Sequence, residues 1–192
     1  MHNKIKRIIS DSIAVKNLIL SDAEMLTRVQ QVAVDIVKSL KNNGRIYFCG
    51  NGGSAADAQH LAAEFSGRFY TDRQALPAEA LHCNTSYMTA VANDYSYDVV
   101  YARLIHGIAH PGDFLIGLST SGNSINIVKA FEVARQKNIT TVGFTGKDGG
   151  KMKDLSDYLL NVPSGDTPRI QESHIMLGHI ICQLVEEIYF QP

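Results

Sequence analysis

The sequence predicts an α/β protein built on a parallel β-sheet. Three observations carry this. Short apolar runs alternate with stretches of helical periodicity, polar turns rich in Gly and Ser follow the ends of the apolar runs, and no repeat, low-complexity tract or linker interrupts the alternation. With 192 residues the expectation is a single domain, 1–192, with enough chain for a sizeable core. A hydrophobic content of 45% against 19% charged residues excludes a disordered chain. The net charge of −1 comes from 18 basic and 19 acidic residues with neither sign in blocks, which argues against nucleic acid as a partner. The opening MHNKIKRIISDS has no unbroken apolar core of a leader, and no apolar run approaches membrane-spanning length, so no membrane partner is expected. Cys49, Cys83 and Cys182 are odd in number and scattered, as expected of reduced thiols in a cytoplasmic protein.

In chain order, Ile5, Ile8, Ile9, Val15, Leu18 and Ile19 recur at near-helical spacing and predict a first helix. Ser21, with Glu24 three residues on, reads as a capping box for a second helix. Its apolar stripe runs through Met25, Val29, Val32, Ala33, Ile36, Val37 and Leu40, and Gly44 is the expected stop. Both stripes are expected to face the core, and this hairpin, 1–43, packs on its own sheet or on a neighbouring subunit. Ile46 to Phe48 then predicts a strand leading into CGNGGSAADAQHLAAEFSGR, residues 49–68, with a helix starting at Ser54.

Leu76 to Leu81 is the next strand, Asn84 to Asn93 a helix, and Tyr95 to Ala109 another, closed by His110-Pro111-Gly112. Asp113 to Leu118 predicts a strand that runs into Ser119–Ser124, followed by a helix with Ile127, Val128, Phe131 and Ala134 inward. Thr140 to Phe144 and Tyr158 to Val162 complete the strands. Thr167-Pro168 opens a last helix to about Tyr189, apolar on nearly every side and so expected to be buried all round.

Three constellations carry chemistry. Asn51, Gly52 and Gly53 allow a sharp turn and close approach of backbone to a ligand, ahead of a helix N-terminus suited to phosphate. The second turn sets Ser119, Thr120, Ser121 and Ser124 around Gly122 at another strand-to-helix junction, where hydroxyls and N–H groups surround phosphate oxygens without a lysine. An ordinary helix cap accounts for the same residue types. Neither turn fits the P-loop or the dinucleotide fingerprint. His60 and Glu64, four apart, share a helix face and offer a nitrogen and an oxygen suited to a divalent metal such as zinc. They lie about 9 to 15 Å along the axis from the helix start, the length scale of an extended sugar phosphate. On the last helix Gln171 and His179 are eight residues apart, about 12 Å of axial rise, so both reach one ion only with side chains extended towards each other or from two subunits.

The segments CGNGGSAADAQHLAAEFSGR, VANDY, GLSTSGNSINIVKA, FTGKDGGKM and RIQESHIMLGHIICQLVE together resemble the sugar isomerase (SIS) domain family, and within it the branch that isomerises sedoheptulose 7-phosphate. The resemblance implies a flavodoxin-like, three-layer αβα sandwich on a five-stranded parallel sheet, assembled as a homotetramer with active sites between subunits. It implies zinc, one per subunit, held by His60, Glu64, Gln171 and His179, with Glu64 and His179 as acid and base. Asn51, Gly52, Gly53, Ser54, Asn93 and Asp94, with Glu64 and Gln171, would contact the sugar, and Ser119, Thr120, Ser121 and Ser124 its phosphate. The implied product is D-glycero-D-manno-heptose 7-phosphate, formed through an enediol as the first step towards the heptose of bacterial surface polysaccharide such as lipopolysaccharide. Where some members carry an Asp before the Arg of RIQE, this chain has Pro168, with Asp166 nearby. The alternative is a non-catalytic member of the replication-initiator-associating type, which does not keep the Glu64/His179 pair. A sugar-phosphate sensor is a remote third, since no DNA-binding module is attached.

Overall fold

Strand β1 (Ile46–Gly50) is buried along its whole length, and its side chains alternate between two separate cores. Ile46 and Phe48 join one, Tyr47 and Cys49 the other, as the period of two dictates for a strand covered on both faces. The computed structural model describes residues 1–190. Strand β1 lies inside a five-stranded sheet with β2 (Ala78–Ala80), β3 (Phe114–Leu118), β4 (Thr140–Thr145) and β5 (Tyr158–Asn161), in the order β2-β1-β3-β4-β5. Every pairing is parallel. This is the doubly wound order whose switch point lies between β1 and β3. The register sets Gly50 opposite Leu118, so the two polar turns that follow these strands emerge side by side.

Among the described residues there are seven α-helices: α1 (His2–Ser21), α2 (Ala23–Lys41), α3 (Gly53–Ser66), α4 (Thr85–Asp94), α5 (Val100–Ile108), α6 (Ile125–Gln136) and α7 (Thr167–Phe190). Apolar residues of α2, α3 and α7 bury against one face of the sheet, those of α4, α5 and α6 against the other. The result is the expected three-layer αβα sandwich. No helix among the described residues is long and apolar enough to cross a membrane.

Local predictions fail in four informative places. Asp22, not Ser21, caps α2 by accepting from the Met25 N–H at 2.9 Å, while the Ser21 hydroxyl turns back to the Asn17 and Leu18 carbonyls. The strand expected over 76–81 shrinks to Ala78–Ala80 at the sheet edge, behind Pro77, which has no N–H to give a ladder. The helix expected from Tyr95 to Ala109 is broken: Tyr95 and Ser96 leave helical conformation, a 3₁₀ turn covers Tyr97–Val99, and α5 starts at Val100. Helix α7 is not buried all round, since Ile180 and Ile188 stand exposed.

The hairpin divides unexpectedly. Helix α2 buries its stripe in the sheet core as anticipated. Of α1, only Ile19 is buried. The helix rides on α7 through polar bonds, Ser12 Oγ to Glu172 at 2.6 Å and Arg169 Nη1 to the Ile8 carbonyl at 2.9 Å, and leaves Ile5, Ile8, Ile9 and Ile13 exposed. The sheet face is already covered by α2, α3 and α7, so beyond Ile19 and the half-buried Val15, α1's apolar side has no core to enter.

Asp35 on α2 ties that helix to β5 through the Tyr158 hydroxyl at 2.5 Å. Burial works against its ionisation, but bonds from Lys38, Tyr158 and Gln31 outweigh it and bring its pKa from 3.8 down to about 2. A carboxyl whose pKa falls on folding stabilises the fold above its unfolded value, and that contribution is lost as pH drops from about 4 towards 2. Asp35→Asn is expected to be less stable than the wild type at pH 7, with the gap in urea midpoint closing between pH 4 and pH 2.

Candidate active site

Gly52 caps α3 with φ of +56°, a positive value that glycine adopts without strain, and the Gly52 carbonyl accepts from Ala55 and Ala56. The helix therefore begins at Gly53, one residue before the Ser54 start expected from the sequence, and Ser54 is buried. Two turns along α3, the His60 Nε2 lies 3.2 Å from Glu64 Oε1. Across from them on α7, His179 presents its own Nε2 at 2.9 Å from that of His60.

The three donor atoms all fall within 4.8 Å of one another, and among the described residues this is the one group of three or more His, Cys, Asp or Glu so arranged. Side chains of this kind at this spacing are able to hold one divalent cation or to pass a proton. His60 is half-exposed, so one side of the group opens to solvent, while Phe69 covers another with its ring centroid 5.7 Å from that of His179.

What brings α7 to α3 is Gly178. A Cβ there would lie 2.5 Å from Leu61 Cδ1, so the absent side chain is the notch into which Leu61 fits. Leu61 and Gly178 are the chain neighbours of His60 and His179, and their contact sets the distance between the two imidazoles. Eight residues earlier on α7, Gln171 meets the start of α3: a Cβ on Gly53 would lie 2.7 Å from its Nε2. Within one chain Gln171 is therefore beside Gly53, about 10 Å along α3 from His60. The two helices run side by side, and the structure does not bring Gln171 into the three-residue group.

The second turn is folded back on itself. The Ser119 and Ser124 hydroxyls bond to each other at 2.9 Å, so Ser124 leaves the N-terminus of α6 without a side-chain cap. Gly122, at φ of +66°, packs on the backbone of Gly149 and Gly150. Ser121 accepts from the Asn123 N–H, and Thr120 and Ser121 are open to approach. Asn93 and Asp94 stand exposed at the end of α4, with Asn93 Nδ2 donating to Asp94 Oδ1 at 3.0 Å. Asp166 precedes α7, and its carbonyl accepts from Ile170.

Two residues that the sequence reading missed join these parts. Asn126, buried in the first turn of α6, exchanges amide bonds with Asn51 at 3.0 and 2.9 Å. Tyr97 donates its hydroxyl to Asn51 Oδ1 at 3.1 Å. Asn126 had a faint signal, an amide within the apolar INIVKA, whereas Tyr97 was hidden in a stretch expected to be helical. The break after α4 is what lets Tyr97 face the first loop. On the buried side, His174 bonds the Thr145 carbonyl through Nε2, and burial pushes its pKa down to about 4, so it sits neutral in the core. Burial likewise pushes the Cys49 and Cys182 thiols up, which keeps them protonated.

Residues 11–146 match the SIS domain family. The chain belongs to the SIS domain family. Over its whole length this SIS-domain chain is 52% identical to the phosphoheptose isomerase of Aneurinibacillus thermoaerophilus, covering 96% of that protein. The solved phosphoheptose isomerase of Neisseria gonorrhoeae is 39% identical and superimposes with a TM-score of 0.89, over 97% of this chain and 98% of that one. That of Francisella tularensis is 31% identical with a TM-score of 0.91, over 96% and 97% respectively.

The notch at Gly178 is directly testable in this SIS domain. Helix propensity favours alanine over glycine by about 1 kcal/mol, whereas overpacking a filled contact costs about 1–3 kcal/mol. Overpacking wins, so Gly178→Ala is expected to lower unfolding free energy by about 1 kcal/mol in denaturant titrations.

Proposed function

We propose that this SIS-domain protein is an aldose–ketose isomerase that converts sedoheptulose 7-phosphate to D-glycero-D-manno-heptose 7-phosphate. The convergence of His60, Glu64 and His179 from two helices carries the reading, and the phosphoheptose isomerases at up to 52% identity over the full chain support it. A non-catalytic binding role gives no reason for a carboxylate and two imidazoles to meet at this distance.

The reaction moves a proton between adjacent carbons through an enediol. Glu64 is the base that takes the proton from carbon, its carboxylate held at the edge of α3 by His60. His179 gives and takes the proton at the neighbouring oxygen and assists ring opening. Ser119, Thr120, Ser121 and Ser124 bind the phosphate at the α6 N-terminus, where uncapped N–H groups favour an anion. Asn51, Gly52, Gly53 and Ser54, with Asn93 and Asp94, hold the sugar chain.

Two imidazole nitrogens and a carboxylate oxygen fit zinc in kind and in spacing. His60, Glu64 and His179 would hold the ion, with Gln171 as fourth donor, one ion per subunit. When bound, zinc supplies a Lewis acid that polarises the sugar oxygens. Coordination lowers the basicity of a carboxylate, so Glu64 works best as a weakly bound donor.

The Gln171 amide packs beside Gly53, about two turns along α3 from the His60 of its own chain, which supports active sites completed between subunits. The exposed isoleucines of α1 supply an apolar face for that association, and we assign the protein as a homotetramer. A cytoplasmic location fits a sugar-phosphate substrate and three unpaired cysteines. The heptose product would feed bacterial surface polysaccharide such as lipopolysaccharide.

Purified protein incubated with sedoheptulose 7-phosphate is expected to form aldoheptose 7-phosphate, and a chelator is expected to stop it. No turnover in zinc-replete protein would overturn the isomerase reading, and chelator-insensitive turnover would remove the metal from it. Glu64→Gln is expected to lower kcat by at least about 100-fold, the scale of a lost general base. For the assembly, light scattering on Ile9→Glu/Ile13→Glu is expected to show dissociation of the tetramer, with turnover falling alongside.

A further inference from the structure

Arg73 and Glu186 form an ion pair, Nε to Oε2 at 2.9 Å, with each side chain only 5% exposed. The mechanism above does not use them, yet their remaining bonds all go to the backbone around the active site. The guanidinium donates to the carbonyls of Glu64 and Phe65, each at 2.8 Å, and to those of Gly67 at 3.3 Å and Gln74 at 3.1 Å. The Glu64 and Phe65 carbonyls belong to the last turn of α3, which has no following helical N–H to satisfy it. Glu186, two turns beyond His179 on α7, accepts from the N–H groups of Phe69 at 3.3 Å, Tyr70 at 3.0 Å and Thr71 at 2.9 Å.

The pair thus straps the segment after α3 to α7. It closes the helix end that carries Glu64, and it fixes the backbone of Phe69, whose ring lies against His179. Burial opposes ionisation of Glu186, but the bonds from Arg73, Thr71 and Phe69 outweigh it and hold the carboxyl below its usual range, so both partners stay charged. Arg73 reaches the carbonyl of Glu64 and not its carboxylate, which leaves the reactive group free.

We propose that Arg73 and Glu186 are positioning residues, which fix Glu64 through the last turn of α3 and His179 through the ring of Phe69. This rests on the isomerase reading of the same site. The experiment compares full-length wild type with Arg73→Lys, Glu186→Gln and Phe69→Leu, reading kcat and KM on sedoheptulose 7-phosphate and zinc affinity by competition with a chromophoric chelator, with melting curves to establish folding. Expected is a kcat at least about 10-fold lower with KM nearly unchanged, and a zinc dissociation constant raised by about 10-fold, as for loss of a group that orients a ligand. Folded variants that keep both wild-type kcat and wild-type zinc affinity would overturn the proposal. Where the charge variants fail to fold, Phe69→Leu decides, because it leaves the ion pair and its backbone bonds in place. A wild type that does not convert the substrate, with zinc affinity still falling in the variants, would sink the isomerase reading and support the strap.

Discussion

The contact of α3 with α7 at the Leu61–Gly178 notch is the constraint on which the site depends. Both helices lie on the same face of the sheet, and their separation is set by a side chain entering the space where a Cβ is missing. A helix pair held at a larger distance would leave His60 and His179 too far apart for a shared proton or ion. The same side-by-side packing, read about two turns earlier on both helices, puts Gln171 against Gly53. One contact therefore explains both why the histidines meet and why the glutamine of the same chain does not join them.

A second constraint is topological. Because strand order reverses between β1 and β3, α3 and α6 leave the sheet on opposite faces and the two loops open a crevice between them. Such a crevice needs its walls tied together, and the reciprocal amide bonds of Asn51 and Asn126 do this across the switch point. Tyr97 adds a third side, using the break between α4 and α5. A half-buried amide pair is satisfied on both sides only in one relative position of the loops, which gives the crevice a defined width.

The chain also shows where it stops being sufficient. Helix α1 is anchored to α7 by polar bonds while Ile5, Ile8, Ile9 and Ile13 face outward, an arrangement that costs solvation free energy in an isolated monomer. The half-exposed His60 and the displaced Gln171 are open in the same sense. The apolar face of α1 and the open side of the three-residue group are the two features that the proposed association of subunits would cover.

Much of this was readable from residues alone. Buried parallel strands announce themselves as short apolar runs, glycine and serine turns mark their ends, and the His60/Glu64 pair follows from four-residue spacing on any helix. These features are set by local geometry, which repeats wherever the pattern occurs. What local pattern did not disclose depends on contacts between distant segments: Asn126 on Asn51 and Glu186 on Arg73, while His179 beside His60 came only through the family resemblance. Local rivals decided the smaller failures, where Asp22 outcompeted Ser21 as a cap and Pro77 trimmed an edge strand. The apolar stripe of α1 stated that the helix needs a partner, yet periodicity carries no address. Only the packed sheet, with its face already covered, decided that the chain's own core takes Ile19 and Val15 and leaves Ile5, Ile8, Ile9 and Ile13 outside.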